Sequence, residues 1–119
     1  MKNLFSLEGR TALVTGGSRG IGKMIARGYA EFGAKVYISS RKPGACEDTA
    51  KELSEFGECI ALPQDVSTLE GCEALADRFG EHEKSLDILV NNAGAAWGEP
   101  CADFPEQGWD KVMDLNVKS

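Results

Sequence analysis

The chain has 119 residues, 42% hydrophobic and 27% charged, the balance of a globular protein and the length of one domain. Thirteen basic residues against nineteen acidic ones give a formal net charge of -6, which excludes a general binder of nucleic-acid backbone, since such proteins gather Lys and Arg. No apolar run approaches the roughly 20 residues of a membrane span, and the opening MKNLFSLEGR lacks the apolar stretch of an export leader, so a cytoplasmic chain without membrane or nucleic-acid partners is expected.

In chain order, Thr11–Thr15 (TALVT) is a short run of β-formers ended by glycines and predicts a first strand. From Ile21 to Phe32, the residues Ile21, Met24, Ile25, Tyr29 and Phe32 recur at helical spacing, and Gly33 stops the pattern. Lys35–Ser39 predicts a second strand, Pro43-Gly44 a turn, and Ala45–Phe56 a second helix ended by Gly57. Cys59–Leu62 predicts a third strand. Thr68–Phe79 predicts a third helix whose stripe is Leu69, Cys72, Leu75, Ala76 and Phe79. Leu86–Val90 predicts a fourth strand. After a loop, Glu106–Ser119 reads as the beginning of a helix, with Trp109, Val112, Met113 and Asn116 on one side.

This alternation implies an α/β fold with a parallel sheet covered by helices on both faces, and the strands read as near-continuous apolar runs, as doubly covered strands do. The last helical pattern stops without Gly, Pro or a cap. The expectation is that residues 1–119 form the N-terminal part of a single domain whose sheet is cut after its fourth strand.

Metal chemistry finds no support. Cys46, Cys59, Cys72 and Cys101 are spread singly with no C-x-x-C pair, so they read as reduced thiols filling space. The single histidine, His82, sits in the polar run Glu81–Lys84, which reads as solvated, and no nucleophile elbow accompanies it.

The strongest chemical signal is Thr15-Gly-Gly-Ser-Arg-Gly-Ile-Gly22, which follows a strand and opens a helix. Glycine permits positive φ in a tight turn and removes the Cβ that would hold a pyrophosphate away from the backbone. The exposed N–H groups and partial positive charge of a helix start then hold the anion, and Ser18 adds a hydroxyl donor. The spacing is Gly16-x-x-x-Gly20-x-Gly22 rather than G-x-G-x-x-G.

With Asp65-Val66 after the third strand and Asn91-Asn92-Ala93-Gly94 after the fourth, this loop resembles the motif set of the classical short-chain dehydrogenases/reductases, from about Leu7 to Ser119. The wording LVTGGSRGIGKMIA, LDILVNNAG and WDKVMDLNV resembles more narrowly the 3-oxoacyl-[acyl-carrier-protein] reductases of the rhamnolipid-synthesis type. The resemblance implies a Rossmann-type doubly wound sheet in the order 3-2-1-4, and an enzyme moving hydride between a nicotinamide and a carbonyl or secondary alcohol. A small-molecule or acyl-thioester substrate, foremost a 3-oxoacyl thioester, and a homo-oligomeric complete enzyme follow as expectations.

The cofactor choice turns on the end of the second strand. An NAD site places an acid there to take the ribose hydroxyls. Here the strand ends Ile38-Ser39-Ser40-Arg41, without an acid; Ser40 can donate to a 2′-phosphate and Arg41 can meet it with a guanidinium fork. Arg19 resembles the second basic residue of NADP-preferring family members, so NADP(H) is expected. By the resemblance, the Gly16–Gly22 loop, Ile21 included, holds the pyrophosphate, and Asp65 with the Val66 backbone contacts adenine, while Asp65 can also cap its own turn. Asn92 would stabilise the sheet, with Ala93 and Gly94 against the nicotinamide ribose.

Of the family's catalytic group, Asn116 matches the asparagine position; the serine and the Tyr-x-x-x-Lys pair have no counterpart in residues 1–119. Tyr37 is followed four residues later by Arg41 but lies within a strand and reads as core. Trp97 could line a substrate entrance, whereas Trp109 is expected to pack the last helix. The 119-residue chain is therefore expected to be inactive alone. Two rival readings stand beside this one: a half-length NADP(H)-binding protein without catalysis, and a truncated product without function. An open, apolar edge on the fourth strand predicts poor folding or self-association of the isolated chain.

Overall fold

Thr11–Thr15 (β1) and Lys35–Ser39 (β2) are dense in Val, Ile, Thr and Tyr, which favour a pleated backbone. They pair in parallel from Thr11↔Lys35 to Thr15↔Ser39. Two shorter strands, Cys59–Ala61 (β3) and Ile88–Val90 (β4), flank them, and all pairings are parallel in the order β3-β2-β1-β4. This is the order implied by the resemblance. The computed structural model describes residues 4–119; residues 1–3, where the N-terminal stretch read as lacking a leader begins, lie outside the described residues.

Strand alternation sends side chains to two cores. Val36 and Ile38 face Gly20–Glu31 (α1) and Pro43–Leu53 (α2), in a cluster with Val14, Ala26, Cys46 and Leu53. Tyr37 and Leu13 face the other way, into a cluster with Leu75 and Phe79 of Leu69–His82 (α3) and Leu115 near the chain end. Tyr37 is fully buried, and its ring meets Phe79 edge-on with centroids 5.0 Å apart.

The structure rotates α1 relative to its apolar pattern. The buried line is Gly22, Ala26 and Ala30, with Ile25 and Tyr29 half-buried, whereas Ile21, Met24 and Phe32 are 65%, 66% and 58% exposed. The close approach of the helix start to the glycine loop sets this phase, because only a residue without a side chain fits where Gly22 stands.

Both ends of α2 and of α3 also differ from the pattern. α2 begins at Pro43, the proposed turn residue, since proline's fixed φ and missing N–H suit the first helical position. It ends at Leu53, before Phe56. α3 begins after Thr68, whose Oγ1 accepts the Gly71 N–H at 3.0 Å, and continues past Phe79 to His82. Its buried line is Gly71, Leu75 and Phe79, while Leu69 and Ala76 are exposed.

Glu106–Met113 (α4) widens into a π-helical turn over Asp114–Lys118. The two tryptophans depart from their expected roles. Trp97 is half-buried against α4, where a Cβ on Gly108 would come within 2.9 Å of its ring, and Trp109 is 58% exposed.

The Glu81–Lys84 run is not wholly solvated. Glu83 accepts a hydrogen bond from the Tyr37 hydroxyl at 2.8 Å and pairs with Lys35 Nζ at 2.6 Å, tying the end of α3 to β2. Lys35 first, then Tyr37, holds the Glu83 carboxyl below the usual carboxylate range. A depressed folded pKa contributes stability above the unfolded value of about 4.3, and that stability is lost as pH falls through the folded value. Glu83→Gln is therefore expected to lower the Tm near neutral pH, with the gap from the parent closing in strong acid. A gap independent of pH would contradict this linkage.

All four cysteines are free; Cys46 and Cys59 are buried, and burial pushes the Cys59 thiol up to about 12. Among the described residues no helix is long and apolar enough to cross a membrane, and no group of three or more His, Cys, Asp or Glu is arranged to hold a metal ion.

Candidate functional site

At the carboxyl ends of β1, β2 and β4 lies a cleft of about 480 Å³. Ligands of open parallel sheets bind at this edge, where the strand order reverses direction from β1. Its walls are the glycine loop, the end of β2 with the start of α2, the Asn92–Gly94 stretch after β4, Gln64 and Val66 after β3, and Leu115.

The loop is built by backbone geometry. Gly16 and Gly20 have φ of +65° and +59°, the left-handed region that side chains avoid. The Gly16 and Gly17 N–H groups donate to the Ser39 carbonyl at 2.8 and 3.3 Å, folding the loop onto the end of β2. Thr49 of α2 donates to the Ser18 carbonyl at 2.9 Å. At Gly22, an added Cβ would stand 2.1 Å from the Gly16 carbonyl oxygen and 2.5 Å from Asn92 Nδ2. α1 then starts with no side-chain cap at Arg19 and no acid in its first turn, leaving its first N–H groups and its positive end for an anion.

The hydroxyl of Thr15, the first residue of the glycine motif, joins the loop to the Asn92–Gly94 wall. Thr15 Oγ1 accepts the N–H groups of Asn92 and Ala93, each at 3.1 Å, and donates to the Val90 carbonyl at 3.2 Å. The Asn92 side chain in turn donates to the Gly16 carbonyl at 3.2 Å, so β1 and β4 are cross-linked at the cleft floor.

Of the residues singled out from sequence, Gly16, Ser18, Arg19, Gly20, Ser40, Arg41, Val66, Asn92, Ala93 and Gly94 come together in the cleft wall. Four do not line it. Gly22 lies behind the loop, and Ile21 points outward. Asp65 sits outside the wall with its Oδ1 accepting the Ser67 N–H at 2.9 Å; Ser67, more than Arg41, holds its carboxyl below the usual range. Asn116 clasps Ala95, donating to its carbonyl and accepting its N–H, each at 2.8 Å, while its neighbour Leu115 enters the wall. Trp97, the candidate for a substrate entrance, is not in the wall.

Ser39, Lys42, Ala45, Gln64 and Leu115 complete the wall and were not anticipated. Lys42 was legible as a second base beside Arg41. Ser39 was not, because its place depends on the strand's phase. Its side chain is 1% exposed and its hydroxyl has no hydrogen-bond partner, an unmet demand at the floor of a ligand-sized cleft. The lining carries three cations, Arg19, Arg41 and Lys42, and no carboxylate, within a chain of net charge -6. A glycine cradle, an open helix start and a cationic rim fit a phosphorylated dinucleotide.

The sequence profile of the short chain dehydrogenases matches residues 10–119. The chain belongs to the short-chain dehydrogenase family. Within it, the chain is 56% identical over 119 residues to the rhamnolipids biosynthesis 3-oxoacyl-[acyl-carrier-protein] reductase of Pseudomonas aeruginosa, covering 100% of this chain and 46% of that protein. It is 33% identical to the 5-keto-D-gluconate 5-reductase of Escherichia coli K12, covering 98% of this chain and 46% of that one. The fold superposes on the Pseudomonas aeruginosa RhlG/NADP active-site complex with a TM-score of 0.95 at 55% identity, over 99% of this chain and 46% of the other. A 3-oxoacyl (acyl-carrier-protein) reductase from Agrobacterium tumefaciens C58 with NADP bound gives a TM-score of 0.88 at 34% identity, over 97% of this chain and 45% of the other. The chain thus spans about half the length of the family members it matches.

Proposed function

We propose that residues 1–119 are the N-terminal part of an NADP-binding domain, and that the cleft holds NADPH for a carbonyl reductase acting in the cytoplasm. The observation that carries this reading is the carboxylate-free rim of Arg19, Arg41 and Lys42 around an uncapped helix start. The α1 N–H groups and the Gly16–Gly20 backbone bind the pyrophosphate, while Arg19, Ser40 and Arg41 select the 2′-phosphate. Val66, with Asp65 at the same strand end, borders the adenine. Asn92, fixed by Gly16, holds Ala93 and Gly94 where small residues leave room for the nicotinamide ribose.

When bound, the nicotinamide supplies a hydride to the carbonyl carbon. The chain's own residues orient and shield it. Tyr37 is not placed to give the resulting alkoxide its proton, being fully buried with its hydroxyl already donated to Glu83. Asn116, through its clasp on Ala95, fixes the α4 end beside the nicotinamide half of the cleft and belongs to the catalytic group. The substrate we favour is a 3-oxoacyl thioester, supported by the name of the 56%-identical relative, and the complete enzyme is a homo-oligomer.

The test is oxidation of NADPH by the protein purified from its native source on addition of a 3-oxoacyl thioester. Turnover with the thioester and not with 5-keto-D-gluconate is expected. NADPH binding without turnover of either would contradict the reductase reading and leave a nucleotide-binding protein.

A further inference from the structure

We propose that Thr49, near the middle of α2, is a positioning residue that holds the glycine loop in shape for the cofactor's diphosphate; this rests on the cleft being an NADPH site. Thr49 is not in the cleft wall, but its hydroxyl donates to the carbonyl of Ser18, which is, at 2.9 Å. A threonine inside a helix can satisfy its hydroxyl on the carbonyl four residues back, yet this bond reaches out of α2 across 31 positions of sequence. The buried line of α2 is Cys46, Thr49, Ala50 and Leu53, and Thr49 brings the line's single hydroxyl into it, 5% exposed. A valine would fill the same space with no polar group to satisfy, so what the hydroxyl adds at this position is its bond to the loop.

That bond completes a clamp on the backbone of three consecutive loop residues. The Gly16 and Gly17 N–H groups are fixed on the Ser39 carbonyl of β2, and the Ser18 carbonyl is fixed on α2. Among the described residues no peptide bond is cis, so the Arg19 N–H stands opposite the Ser18 carbonyl in one planar unit. Fixing the carbonyl on α2 therefore fixes the direction of that N–H, at the residue that precedes the open start of α1. A loop held this way before the ligand arrives loses little freedom on binding, which favours affinity. A second polar tie joins α2 to α1 one turn along: exposed Glu52 pairs with Lys23 Nζ at 2.7 Å. Its partner lies on α1 rather than in the loop, so Glu52 serves as the control for docking of the two helices.

The experiment titrates the protein, as expressed from its native gene, with NADPH, ADP and 2′-AMP. All three carry adenosine, and only NADPH and ADP carry a diphosphate. The parent is compared with Thr49→Val, Thr49→Ala, Thr49→Ser and Glu52→Gln, with circular dichroism as the control for folding. Thr49→Val is expected to weaken NADPH and ADP by about 10-fold, the contribution of one hydrogen bond, while 2′-AMP changes less than about 2-fold. Thr49→Ala, a stronger helix former, should show the same selective loss in a second background. Thr49→Ser keeps the hydroxyl and should bind all three within about 2-fold of the parent, as should Glu52→Gln, which removes only an exposed ion pair. Parent-like NADPH and ADP affinity in Thr49→Val, or an equal loss for all three ligands, would overturn the proposal while leaving the cofactor reading intact. A parent that does not bind NADPH would overturn the cofactor reading itself.

Discussion

Gly22→Ala is expected to lower unfolding free energy by about 3 kcal/mol and to weaken NADPH binding by about 100-fold. The added Cβ would stand 2.1 Å from the Gly16 carbonyl oxygen and 2.5 Å from Asn92 Nδ2. Neither neighbour can swing away cheaply: one is backbone of the glycine loop, and the other is the amide cross-linking that loop to the β4 end. Relief requires α1 to retreat, which opens the cradle and withdraws the helix start from the anion. Gly28→Ala on the same helix supplies the control, because a Cβ there meets nothing within 4 Å. It should be neutral or stabilise by up to about 1 kcal/mol through helix propensity. Urea unfolding and cofactor titration of both variants test the contrast. Equal behaviour of Gly22→Ala and Gly28→Ala would contradict the packing account.

Thr15→Val is expected to cost about 3 kcal/mol and to loosen the nicotinamide half of the cleft. The substitution keeps shape and burial but strands two N–H donors, Asn92 and Ala93, and removes the donor to the Val90 carbonyl. A buried group left without its partner costs more than an ordinary hydrogen bond contributes, so an isosteric change carries a large effect. Thr15→Ser retains all three bonds and should recover most of the stability. Hydrogen exchange of the Asn92 and Ala93 amides reports the same event locally: fast in Thr15→Val, slow in the parent and in Thr15→Ser. Unchanged protection in Thr15→Val would show that the hydroxyl is not the link between β1 and β4.

The alternation of runs made the sheet and its order readable, because doubly covered strands are apolar along their whole length and the loops between them carry glycine and proline. The glycine loop was equally plain: backbone conformation there restricts residue choice so tightly that the sequence shows it directly. What escaped depended on third parties. The phase of α1 follows from one close contact at Gly22, not from the positions of Ile21, Met24 and Phe32, so a periodicity count favoured the wrong face. Pro43 looks like a turn residue and is also a good first helical residue; only its neighbours decide. Glu83 sits in a charged run and is drawn in by Lys35 and Tyr37, residues far away in sequence. Trp97 rather than Trp109 packs against α4, because Gly108 has no Cβ to hold the Trp97 ring away. Within the site, motif residues were legible, Thr15 among them, but the bonds that the Thr15 hydroxyl makes and the place of Ser39 were not, since a hydroxyl carries no signature until its donors and acceptors are known.

A cationic, carboxylate-free cleft is proposed to select the phosphorylated cofactor. This is tested by a pair of fluorescence titrations of the protein with NADPH and NADH at low salt, the parent beside Arg19→Ala/Arg41→Ala. A preference for NADPH of about 100-fold is expected in the parent, from two charge-assisted contacts, falling to within about 5-fold in the double variant. Equal affinities in the parent, or a preference untouched by removing both arginines, would contradict it.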